Sequence, residues 1–248
     1  MRKVFSLLLC CALCAALLCG CGGSKAGGGS DIRRKSYSSD ELQFRKPADD
    51  TPVAVFDTTA GKIVAVLYPE QAPMACENFT ALAQDGFYNG TAFHRADYGF
   101  CLQGGLNEAG GSTTKWNGSG YPAEVTDQLH HYSGALCAAM NADGEGGSVF
   151  YFMQTLPQPP ADELVQMMTD AGWRTEVLDT YQAVGGAPYL DYTDTVFGQV
   201  IEGMDVVDDI TYTQSAAEAA AASGSESAEE HPASFTINSV TITTYGEL

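Results

Sequence analysis

The chain has 248 residues, of which 45% are hydrophobic, and 31 Asp and Glu against 12 Lys and Arg give a formal net charge of −19. That length allows one large domain or two small ones. The acidic balance speaks against a nucleic-acid partner, whose phosphates demand clustered Lys and Arg, and against adsorption to anionic lipid by charge alone.

Residues 1–20 have the composition of a secretion signal. Arg2-Lys3 is a basic start, and Val4 to Leu18 is nearly all apolar but short for a membrane span. Leu18-Cys19-Gly20-Cys21 resembles the bacterial lipoprotein signal, which implies a lipidated Cys21 and an exported, membrane-anchored protein. An uncleaved anchor helix or a plain signal peptide is the bland alternative. Loss of Arg2 and Lys3 with the leader takes the charge to −21. Cys10, Cys11, Cys14, Cys19 and Cys21 all belong to this region, which leaves Cys76, Cys101 and Cys137. Their spacing fits no zinc pattern and no even disulfide framework. Three thiols acting as small apolar residues are expected, with one bridge left open.

Residues 21–50 are rich in Gly, Ser, Lys, Arg and Asp and read as a flexible tether to a domain over 51–248. Arg33-Arg34-Lys35 reads as a solvated part of it, within reach of lipid headgroups. Val53 to Phe56 and Ile63 to Leu67 flank a short connection holding Gly61, a hairpin pattern. The period then changes. Pro73 suits a helix start, Ala75, Phe79, Leu82 and Ala83 make one stripe, and Gly86 is placed to end it.

The central stretch is Phe93-His94-Arg95, a short gap, then Phe100-Cys101-Leu102-Gln103-Gly104-Gly105. On a strand, Phe93 and Arg95 share one face and His94 takes the other. Phe100 and Gln103 share a face only across a bend, which Gly99 can supply. A guanidinium and a carboxamide beside aromatic walls suit an uncharged, partly apolar ligand such as a peptide. The run resembles the signature of cyclophilins, the peptidyl-prolyl cis-trans isomerases: F-H-R, a short turn, then G-F-x-x-Q-G-G. Phe93, His94, Arg95, Gly99, Phe100, Gln103, Gly104 and Gly105 match it, whereas Ala96-Asp97-Tyr98 and Leu106 depart from it.

Downstream, Gly110 to Tyr121 reads as a surface loop without a phosphate-binding pattern. His130-His131 has no accompanying ligand set, and neighbouring histidines on a strand point apart. Gly134 to Asn141 and Gly147 to Met153 resemble a second family landmark, with Val149 in place of glutamine. The ungapped match puts Tyr151 at the floor of the proline pocket, and a one-residue slip puts Phe152 there. Residues 157–188 read as an inserted helical hairpin, with stripes of Leu164, Met167, Met168, Ala171 and of Val177, Leu178, Tyr181, Val184. Its methionines suit packing better than a peptide platform. Tyr189-Leu190-Asp191 to Val200 resembles a third landmark, with Asp194 in place of histidine. Met204, Val207 and Ile210 stripe a further helix. The acidic Ala/Ser-rich stretch 213–232 reads as a mobile loop, with a longer helix as the alternative. Phe235, Ile237, Val240 and Ile242 mark a last strand, bulged between Ile237 and Val240.

The resemblance implies a mainly β fold, a closed antiparallel eight-stranded barrel capped by two α-helices and carrying the inserted hairpin. It implies catalysis by Arg95, Phe100 and Gln103, and substrate contact by Phe93, Cys101, Tyr151, Tyr189 and Leu190, without cofactor or metal. The implied activity is isomerisation of X-Pro bonds in exported proteins, assisting their folding. The partners would be proline-containing peptides and unfolded exported proteins, met by a lipid-anchored monomer. The alternative is a catalytically weak proline-peptide binding module or chaperone-like lipoprotein. A solute-binding lipoprotein would want a larger, two-lobed α/β chain.

Overall fold

The expected hairpin forms. Strands β1 (Pro52–Thr58) and β2 (Gly61–Leu67) pair antiparallel, from Val53 opposite Val66 to Thr58 opposite Gly61. The structure is a computed structural model describing residues 30, 32–223 and 235–248. The leader and Cys21 lie outside the described residues. Further strands are β3 (Arg95–Asp97), β4 (Cys101–Gly104), β5 (Tyr121–Pro122), β6 (Ala135–Met140), β7 (Glu145–Met153), β8 (Thr195–Glu202) and β9 (Ile237–Thr244). All neighbours are antiparallel, in the order β3-β4-β7-β6-β8-β2-β1-β9, with β5 on the side of β7.

The expected closed barrel is not formed. β3 and β9 end the sheet and do not pair as strands. β3 is three residues long, so the segment preceding it meets the start of β9 and the residues before that instead. An Ala92–Thr236 bridge, the Phe93 N–H on the Phe235 carbonyl (2.9 Å) and the Ile237 N–H on the Thr91 carbonyl (2.8 Å) join the edges. The result is an open half-barrel.

Its concave face is aromatic. Phe56, Phe79, Phe150, Phe152 and Phe197 are buried together, with ring centroids 5.1 to 5.8 Å apart. Burying each such ring contributes about 1.5–3 kcal/mol. In β9 the register shifts opposite Asp57 and Thr58, which skips Asn238 and lets both Ile237 and Val240 face this core, as their odd spacing implies. Helix α1 (Pro73–Gln84) packs on β7, β8 and β9 through Ala75, Phe79, Leu82 and Ala83. Two inserted helices follow, α2 (Asp162–Asp170) and α3 (Thr175–Val184). Helix α4 (Met204–Ser223) packs on β2, β3 and β4. It runs eleven residues into the stretch expected as a loop, because Ala-rich sequence favours helix and both Gln214 and Ala217 find buried places.

The insert is docked. Met168, Val177 and Tyr181 are buried against Tyr132, while Met167 is 68% exposed and Ala171 faces solvent, so the α2 stripe is narrower than its spacing implies. The Tyr181 hydroxyl donates to the carboxylate of Asp191 (2.8 Å). That carboxylate also accepts the His131 N–H (2.7 Å) and lies 2.8 Å from His130 Nδ1 and 2.9 Å from His131 Nδ1. The two histidines lie outside any strand and converge on one partner, contrary to the strand expectation.

The described part of the expected tether also lies against the domain. The Arg34 guanidinium grips both oxygens of buried Asp208 (2.7 Å each) and reaches Ser133 Oγ and the Thr155 carbonyl. Glu41 accepts two hydrogen bonds from Arg174 in the insert (2.6 and 3.0 Å). The Gln43 amide bonds His130 O, His130 N–H and Gln199 Oε1. Composition read as solvated, but Arg34 meets a buried carboxylate, Glu41 the guanidinium of Arg174, and Gln43 buried polar groups.

Two outcomes follow. A chain starting at residue 51 strands Asp208 without its guanidinium, and breaking a buried pair costs about 3 kcal/mol or more. Its melting midpoint should fall roughly 6–12 °C below that of a chain starting at residue 30, measured by calorimetry. For Asp191, burial alone would raise the carboxyl's pKa, but hydrogen bonds and charge from His130 and His131 bring it below the ordinary 3.8. Its stabilisation is therefore complete above pH 4 and lost as pH falls through the lower folded value. Asp191→Asn should cost about 3 kcal/mol at pH 7, with the gap to wild type closing in melts below pH 4.

Candidate active site

The site is a row of side chains across adjacent strands on the outer face of the half-barrel. Arg95 on β3 stands opposite Gln103 on β4, Gln103 opposite Tyr151 on β7, and Tyr151 opposite Cys137 on β6. Directly paired positions lie on one face, so four strands set this row without loop freedom. Asp97, Cys101 and Met153 form the parallel row two residues along.

Arg95 is about half exposed and points one amino group at Gln103 Oε1 (3.5 Å) and the other at Asp97 Oδ2 (3.1 Å). Its guanidinium sits 5.3 Å from the centroid of the Phe100 ring. Phe100 precedes β4 in a tight turn, its N–H on the Asp97 carbonyl (2.8 Å), with Gly99 at φ +90 supplying the expected bend. Gly105 ends the run at φ +95, where any Cβ would meet the Ser148 carbonyl. That position admits only glycine.

Cys101, Tyr151 and Leu190 pack in one cluster with Phe100. Burial pushes the Cys101 thiol up to about 11 against the pull of Arg95, so it is a neutral wall. Cys76, Cys101 and Cys137 are all free and buried. Burial first, then Cys137 and Asp194, push the Tyr151 phenol well above its usual range. It stays protonated and donates to Asp194 Oδ2 (2.8 Å). The imidazole of His131 lies nearly parallel to its ring, 6.4 Å away. Phe152 faces the aromatic core, whereas Tyr151 lies in the cluster with Cys101 and Leu190.

Leu190 and the 64% exposed Tyr189 belong to a single turn, Pro188–Leu190. Phe93 does not join the site. It is fully buried in the core with Ala96, because residues 93 and 94 lie outside β3, so the strand parity that paired it with Arg95 does not reach it. The structure thus brings together Arg95, Phe100, Cys101, Gln103, Tyr151, Leu190 and, at the rim, Tyr189.

Sequence reasoning missed the braces. Gln154, fully buried, accepts the Gly99 N–H (2.7 Å) and donates to Asp208 (2.8 Å), so the turn bearing Phe100 is tied to α4 and Arg34. A polar residue closing the apolar run Val149 to Met153 was the available signal. Among the described residues no group of three or more His, Cys, Asp or Glu is arranged to hold a metal ion. A cleft of about 510 Å³ between the N-terminal segment and Asp127-Gln128 contains none of the row.

A family model described as cyclophilin type peptidyl-prolyl cis-trans isomerase/CLD matches residues 53–226. A Staphylococcus saprophyticus protein, designated by inference a peptidyl-prolyl cis-trans isomerase, is 34% identical over 161 residues, which is 64% of this chain and 81% of that one. A Staphylococcus epidermidis protein of the same designation is 33% identical over 174 residues, covering 69% and 87%. The crystal structure of a Cryptosporidium parvum cyclophilin type isomerase superposes with a TM-score of 0.54 at 21% identity, over 79% of this chain and 98% of that one. The same protein was also crystallised in the presence of the dipeptide Ala-Pro. With the family model spanning well over half its length, this chain belongs to the cyclophilin-type peptidyl-prolyl cis-trans isomerases.

Proposed function

We propose that Arg95, Phe100 and Gln103 carry the isomerisation of X-Pro bonds here, and that Cys101, Tyr151, Leu190 and Tyr189 receive the proline ring and its flank. The observation that carries this reading is the Arg95 guanidinium over Phe100 and beside Gln103, at the mouth of a neutral apolar cluster. The barrier to turning a peptide bond is ~18–20 kcal/mol and comes from amide resonance. A twisted amide has a pyramidal prolyl nitrogen that accepts a hydrogen bond, and Arg95 is placed to donate it. Gln103 holds the neighbouring carbonyl, and the apolar wall strips water from the ring. Donors fixed in advance favour the twisted state over the planar one. No nucleophile is called on.

Two observations favour a slower enzyme, or a proline-peptide binding module. Val149 offers no hydrogen bond where the family has glutamine, and Asp194 is already engaged with Tyr151. We further propose an exported monomer held to the membrane by lipid on Cys21, with newly exported proteins as clients. That proposal rests on residues 1–21 alone. Among the described residues no helix is long and apolar enough to cross a membrane.

In a proline-peptide exchange assay, Arg95→Ala should lower kcat/KM at least tenfold, about 1.4 kcal/mol of barrier, with circular dichroism unchanged. Two folded proteins that both fail to accelerate exchange would shift the reading to peptide binding. Labelled fatty acid should enter the wild-type protein and not Cys21→Ser; incorporation into both would remove the anchor proposal.

A further inference from the structure

The insert continues the substrate face. Leu190 packs in the pocket cluster, and Tyr189 beside it is 64% exposed. Two residues beyond Leu190, Tyr192 is 66% exposed, and its ring meets Trp173 edge-on with centroids 5.6 Å apart. Trp173 lies in the turn between α2 and α3, so the far wall of this aromatic strip is made by the insert. The strip is held rigidly. Trp173 packs on His130 (6.1 Å) and Tyr181 (6.4 Å), and the Tyr181 hydroxyl is bonded to Asp191, the residue between Leu190 and Tyr192.

Two exposed tyrosines, one of them set edge-on against the half-buried Trp173, pose a question of what covers them. Exposed patches of this kind mark interaction surfaces, and Tyr and Trp bury much area at small entropic cost. Continuity with the pocket names the occupant. A polypeptide whose proline sits over Leu190 runs extended along the adjoining surface, at ~3.4 Å per residue. We infer that Tyr189, Tyr192 and Trp173 form a second subsite that takes an aromatic or branched aliphatic residue of the same client chain, a few residues from its proline. This rests on the isomerase reading for its register and gives that site a substrate class: extended, unfolded polypeptide with apolar residues near proline, in preference to short polar X-Pro peptides.

The test uses the full chain and ten-residue Ser/Gly peptides with one Ala-Pro bond. Phe is placed at each position up to about five residues either side of the proline, at ~3.4 Å per residue. Isomerisation gives kcat/KM, and fluorescence gives binding. The protein has two tryptophans, so Trp116→Phe leaves Trp173 as sole reporter. At least one Phe position should raise kcat/KM threefold or more over the peptide without Phe and change Trp173 emission. Tyr192→Ala should abolish that advantage. Tyr192→Arg serves as a second variant, and two-thirds exposure lets both fold. Equal turnover of all peptides with silent Trp173 would overturn the subsite and leave the isomerase reading intact. Trp173 responding without turnover of any peptide would retain the subsite and sink the isomerase reading.

Discussion

The carboxylate of Asp191 is the point on which the insert, the segment before β6 and the rim turn converge. It is 3% exposed and takes hydrogen bonds from His130, His131 and Tyr181. A buried charge stripped of partners is prohibitive, so the surrounding groups must hold their places as a set. Tyr181 belongs to the insert, the histidines to the segment before β6, and Asp191 itself follows the rim turn. One oxygen pair therefore fixes the insert, the pocket rim and the ring that lies beneath Tyr151.

Much of the half-barrel was legible because strand pairing leaves a local mark. The alternation in Val53 to Leu67, the odd interval from Ile237 to Val240 and the helix stripe of Ala75, Phe79, Leu82 and Ala83 each encode one face and one register. Closure was not legible, since it depends on whether a three-residue strand at one edge reaches the other. The N-terminal segment was misread for a related reason. Gly-rich, charged composition reports what a chain can do alone, whereas Arg34, Glu41 and Gln43 are ordered by partners 87 to 174 residues away.

The site divides the same way. Arg95, Gln103 and Tyr151 fell into place because they occupy paired strand positions. Phe93 did not, because the strand starts two residues later than its pattern suggests. The sequence also named the departures at Val149 and Asp194, but the hydrogen bond from Tyr151 to Asp194 belongs to tertiary packing. A phenol bonded to a carboxylate makes this cluster more polar at one edge than its apolar members suggest.

The brace from Arg34 through Asp208 and Gln154 to Gly99 bears on the order in which the molecule matures. Arg34 and Asp208 are 174 positions apart, and Gln154 lies 54 from Asp208 and 55 from Gly99. Contacts so distant along the chain close late, since loop entropy must be met before they form. The β1–β2 hairpin can form as soon as its own residues are available. The turn presenting Phe100 acquires its full support only when α4 arrives from near the C-terminus. A chain emerging one residue at a time thus holds this turn slack until α4 has been made.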